Sequence, residues 1–116
     1  MEYLLLIYQA DSQREALNGP EEEKVYQQYY ELIQELTKEG KYKGGHELQP
    51  TAMASTVRVR NNRQAVTDGP FAETKEQLGG YFLIDVNNLD EALAIAARIP
   101  TAKTGCIEVR PIVEGH

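Results

Sequence analysis

Asp68-Gly69-Pro70-Phe71-Ala72-Glu73-Thr74-Lys75-Glu76-Gln77-Leu78-Gly79-Gly80 runs directly into the apolar stretch Tyr81-Phe82-Leu83-Ile84. A tight turn opens the segment and a glycine pair closes it. Polar groups packed that densely beside an apolar strand make either a binding loop or an elaborate connection. Ala72–Leu78 has the length for one or two helical turns. Gly80–Val86 reads as a strand with little alternation, the pattern of a strand covered on both faces.

Towards the N-terminus, Tyr3–Tyr8 has the same character, with Leu4 and Leu6 on one face and Tyr3, Leu5 and Ile7 on the other. Asp11–Gly19 reads as a polar loop. Pro20 then suits the first turn of a helix, with Glu21, Glu22 and Glu23 at the positive end of its dipole. Val25, Tyr29, Leu32, Ile33 and Leu36 recur at helical spacing, and Gly40 is a natural stop. Lys43–Leu48 is a short strand ended by Pro50. Ser55–Arg60 alternates valines with Thr56, Arg58 and Arg60. Asn61-Asn62 suits a two-residue turn, because asparagine tolerates positive φ, and Arg63–Thr67 returns as the second strand of a hairpin.

Towards the C-terminus, Asn88 and Glu91 form a capping arrangement. Leu89, Leu93, Ala96 and Ile99 make the apolar face of a second helix, which Pro100 ends. Thr101–Gly105 is a loop, and Cys106–Val113 is the last strand, with Cys106 an inert core thiol. Without the hairpin the order is βαββαβ, so the predicted fold is α+β and ferredoxin-like, with an inserted hairpin. Two helices cover one face of such a sheet. The other face keeps large apolar groups and calls for a homodimer or higher homo-oligomer with sheets face to face.

The chain has 116 residues, a length that suits one domain over 1–116. Its formal charge of −6 argues against direct nucleic-acid binding, which needs a surplus of lysine and arginine. A single cysteine cannot form an internal disulfide and fits a reducing, cytoplasmic setting. The opening apolar run is too short for a membrane span and lacks the flanks of a signal peptide.

The segment Asp68–Gly80, with Tyr3–Tyr8, Thr56–Arg60 and Ile107–Ile112, resembles the DGPF-domain proteins, a branch of the YCII-related family. The resemblance covers essentially the whole chain. It implies a dimeric α/β barrel of ferredoxin-like subunits. It also implies an acid–base pair, a histidine on the first helix and an aspartate in a later glycine-containing loop. Here the helix Glu21–Glu39 holds no histidine, and Asp68 is the candidate for the aspartate. Family members further resemble partners of alternative sigma factors.

Each candidate residue has a functional and a plain reading. Asp68 is a general base or a turn-former whose carboxylate bonds its own backbone. His46, the internal histidine, is the acid–base partner that could replace the missing one, or a surface group. Glu73 and Lys75 are ligand contacts or a solvated face. Gly79 and Gly80 allow close approach of a ligand, or simply stop a helix. Tyr8 and Tyr81 line a pocket or pack in the core. Arg58 binds an anion, or with Arg60 and Arg63 guards a hairpin edge. No Cys/His pair has metal-ligand spacing and no cofactor motif is present, so neither metal nor cofactor is expected. The expected function is binding or acid–base conversion of a small polar molecule in a cleft beside Asp68–Gly80. The alternative is a non-catalytic accessory protein acting with a sigma factor.

Overall fold

The computed structural model describes residues 1–115; His116 lies outside the described residues. The elements are β1 (Glu2–Ala10), α1 (Asp11–Ala16), α2 (Gly19–Lys38), β2 (Tyr42–Glu47), β3 (Ser55–Arg60), β4 (Arg63–Asp68), β5 (Glu76–Asp85), α3 (Leu89–Arg98) and β6 (Cys106–Pro111), with short 3₁₀ turns at Thr51–Met53 and Pro100–Lys103. Four strands form one antiparallel sheet in the order β2-β5-β1-β6, while β3 and β4 pair only with each other. With the hairpin set aside, this is the expected ferredoxin-like α+β arrangement.

The core lies between the sheet and helices α2 and α3. Tyr3, Leu5 and Ile7 of β1 stand beside Phe82 and Ile84 of β5, and all five are buried under Leu32, Leu36, Ala92, Ile95, Ala96 and Ile99. Burying a side chain of this size contributes roughly 1.5–3 kcal/mol. The alternate residues Leu4, Leu6, Tyr8, Tyr81 and Leu83 face away from both helices and are only half-buried.

Local rules place several boundaries where expected. Asn61 and Asn62 have φ of 52° and 61°, the left-handed pair that a two-residue hairpin turn requires. The Asn88 side chain accepts from the Glu91 N–H at 2.9 Å. Gly40 ends α2 at φ 74°.

Four expectations need correction. Asp11–Ala16 is a helix rather than a loop. Ala72–Leu78 forms no helix. β5 already begins at Glu76, because Glu76 and Gln77 pair with Ala10 and Gln9 of β1, and that ladder takes up the backbone groups a helix would need. Ala96 and Ile99 of the expected stripe on the second helix are buried, but Leu89 and Leu93 are exposed, and Ala92 and Ile95 are buried in their stead. Cys106 is exposed rather than part of the core, since it lies opposite Tyr8 on the open face of an edge strand.

Candidate functional site

The β1–β5 ladder slips between Ile7↔Gly80 and Tyr8↔Leu78, which leaves Gly79 as the extra residue of a β-bulge. Bulges bend a strand and re-aim its groups. Here the Gly79 carbonyl turns outward and accepts from the Leu48 N–H at 2.8 Å, just past β2. Gly80 and Gly45 are required by strand packing. A Cβ on Gly80 would lie 2.9 Å from the His46 carbonyl oxygen, and one on Gly45 would lie 2.5 Å from that of Tyr81. Neither Gly79 nor Gly80 has positive φ.

Beyond the bulge the sheet and α2 diverge around a cavity of about 610 Å³. Its floor is apolar and aromatic. Tyr29 and Tyr42 set their rings edge-on to Phe82, with centroids 6.0 and 5.2 Å away and interplanar angles of 81° and 87°. Ile7, Val25 and Ile33 complete that floor. At the deep end the hydroxyls of Tyr29 and Thr101 are 2.6 Å apart, which satisfies both groups away from water. Burial pushes the Tyr29 phenol above its ordinary value, and burial does the same for Tyr42.

The mouth is polar and is built around Glu47. Tyr26, on the second turn of α2, donates to both of its carboxylate oxygens, at 2.8 and 2.9 Å. Arg14 of α1 lies 3.5 Å from Glu47 Oε2 and donates to the Leu48 carbonyl at 2.5 Å. Gly79 leaves the room that the guanidinium occupies, for a Cβ there would touch Arg14 at 3.5 Å. The hydrogen bond to Glu47, together with partial burial and the Glu47 charge, raises the Tyr26 phenol, so at neutral pH it stays a proton donor. Asp11, Glu15 and Glu22 also border the cavity. Four carboxylates and one guanidinium therefore border the cavity, and of the four Glu47 is the one paired with Arg14.

The residues singled out from sequence divide between this cavity and elsewhere. His46, Gly79 and Gly80 border it. Tyr81 does not line it; it stands on the open sheet face opposite His46, whose Nδ1 is 3.0 Å from the Tyr81 hydroxyl. That hydroxyl, and not Asp68, is the hydrogen-bond partner of the imidazole. Asp68 ends β4 opposite Ser55 on the hairpin. Glu73 and Lys75 are exposed in the connection from β4 to β5, Tyr8 lies on the open sheet face, and Arg58 is on β3. Sequence reasoning passed over Arg14, Tyr26 and Glu47. The available signal was Tyr26, a tyrosine flanking the apolar stripe of α2 one turn after Glu22. Burial and the neighbouring Glu76 raise the Cys106 thiol, which therefore lacks the thiolate character of a nucleophile.

Among the described residues, no group of three or more His, Cys, Asp or Glu side chains is arranged to hold a metal ion. No described helix is long and apolar enough to cross a membrane.

The chain is similar to known sequences. An uncharacterised protein of Rhizobium meliloti (strain 1021) is 40% identical over 114 residues, which span 97% of this chain and 92% of that one. The model of the YCII-related domain matches residues 1–115, so the chain belongs to the YCII-related family.

Proposed function

We propose that this protein binds, and converts by proton transfer, a small molecule with an apolar body and a neutral or cationic polar head, in the cavity between α2 and the β5 bulge. The observation that carries the reading is Glu47, held by Tyr26 and Arg14 at the mouth of an aromatic-floored cavity. A carboxylate fixed by two donors is a positioned proton acceptor, and general acid–base catalysis needs reach before it needs a tuned pKa. The volume and the apolar floor match those of small-molecule sites. The excess of carboxylates at the mouth disfavours strongly anionic ligands, because like charges brought into partial burial repel.

A thermal-shift screen of metabolites tests the reading. A true ligand stabilises by mass action, about 2.7 kcal/mol at a hundredfold excess over its Kd. Glu47→Gln should keep the fold and lose at least tenfold in affinity or turnover. If the hits are phosphates or dicarboxylates that Glu47→Gln binds unchanged, the proposal fails.

We also propose that two copies join through the open faces of their sheets. Leu4, Leu6, Tyr8, Tyr81 and Leu83 give each face an apolar centre that no helix covers. Sedimentation equilibrium of the full chain measures this, and a monomer at micromolar concentration overturns it.

A further inference from the structure

The β3–β4 hairpin is an arm without a bed. No element of the body packs extensively against it. Val57, opposite Val66, and Val59, opposite Gln64, share one face, and the three valines are 58%, 58% and 60% exposed in that order. Met53, just before the arm, and Phe71, just after it, are 71% and 79% exposed. The other face carries Arg58, with Arg60 directly opposite Arg63. Among the described residues none of these arginines has an ion-pair partner. Like charges facing each other across a ladder are unfavourable, and an isolated two-stranded hairpin is marginal in water. The radius of gyration of 16.1 Å exceeds the roughly 13 Å of a compact chain this long, as a projecting arm requires.

Charge says what the arm meets. Ser55–Asp68 holds three arginines and one aspartate, a formal +2, in a chain of −6, which leaves −8 on the remainder. Basic arm and acidic body are complementary, yet the arm does not fold back on its own body. We infer that the arm of one copy lies along the body of a second copy, with its valines on apolar surface and its arginines against carboxylates. The contact adds to the sheet-to-sheet pairing proposed above and rests on it only in needing a second copy.

The test uses the full chain with a benzophenone amino acid in place of Val59. Equal amounts of heavy-nitrogen and light-nitrogen protein are mixed, irradiated and read by peptide mass spectrometry, with sedimentation of the same sample alongside. Cross-links should join the arm to peptides outside Ser55–Asp68, with mixed isotopes in about half of them, the share that free subunit exchange gives. They should fall several-fold between about 0.15 M and 1 M salt, as the screening length drops from about 8 to about 3 Å. Arg58→Glu with Arg60→Glu should reduce them likewise. A dimer whose arm links only within one isotope, only to another arm, or not at all overturns the arm contact and leaves the sheet pairing standing. A monomer in sedimentation overturns both. Retardation of duplex DNA that depends on Arg58 and Arg60 would instead assign the arm to nucleic acid and end the inference.

Discussion

Two antiparallel strand pairs in this molecule share a pattern and differ in fate. Along β1 and β5 the alternate residues Tyr3, Leu5, Ile7, Phe82 and Ile84 are buried against two helices. Along β3 and β4 the alternate residues Val57, Val59 and Val66 keep more than half their surface. Both pairs are antiparallel and carry β-branched or aromatic residues on alternate positions. The difference is the covering layer, since α2 and α3 cover the first pair and no described element packs extensively on the second. Alternation determines which side chains share a face. Whether that face is dry depends on what covers it.

The largest test of this contrast is Leu5→Ala. Leu5 is fully buried at the centre of the sheet, and truncation there should cost about 2–5 kcal/mol and lower Tm by several degrees for each kcal/mol. Denaturant unfolding with an unchanged m-value measures it. A cost near that of a surface site, within about 0.5 kcal/mol, would mean that β1 is not the core strand described here.

A smaller effect separates two glycines on the paired strands β5 and β2. Gly80→Ala drives a Cβ to 2.9 Å from the backbone oxygen of His46, and should cost roughly 1–3 kcal/mol because that atom belongs to the ladder. Gly44→Ala meets nothing within 4 Å, and should be neutral or stabilise by a few tenths to about 1 kcal/mol through the unfolded chain. Equal costs at the two positions would show that β2 does not approach β5 as closely as the structure has it.

Alkaline pH probes the deep end of the cavity. Burial raises the Tyr29 phenol above its ordinary value of 10.0, so the folded state holds a proton that the unfolded chain releases first. The associated stability is complete below pH 10 and is lost as pH rises through the folded value. Tyr29→Phe should therefore flatten the fall in stability above pH 10, at a cost of about 1 kcal/mol for the bond to Thr101. A fall just as steep in the variant would place the titration on other groups.

Short-range chemistry made much of the fold legible. The asparagine turn at 61–62, the Asn88 cap and the Gly40 stop each depend on residues within one turn of one another. The α3 stripe was legible at Ala96 and Ile99, which are buried, and not at Leu89 and Leu93, where size misled. Leu89 and Leu93 outweigh the alanines, yet Ala92 and Ala96 are the residues small enough to bring the helix onto the sheet. Of the residues bordering the candidate cavity, the sequence singled out only Gly79, Gly80 and His46. Arg14 and Tyr26 meet Glu47 across 33 and 21 residues, and their meeting depends on a bulge and on a six-residue helix with no apolar periodicity to announce it. Asp68, the most conspicuous acid of its segment, is placed instead by hairpin register, opposite Ser55.

The smallest expected effect bears most directly on the contrast between the two strand pairs. In a dilute, fully dissociated chain Val59→Ala removes methyl groups that already touch water, so stability should change by no more than about 0.5 kcal/mol. Val59 pairs with Gln64 rather than with a core residue, so the loss of β-propensity is all that remains to be felt. At concentrations where copies associate the same substitution has a different meaning. If a second body covers the arm, truncation exposes a newly made gap and weakens association by about 1 kcal/mol, several-fold in Kd. Unfolding at two protein concentrations separates the cases, since a monomer effect is independent of concentration and an interface effect grows with it. A cost above about 1 kcal/mol at the lowest concentration would mean that the arm already packs on its own chain. The two strand pairs would then differ only in degree.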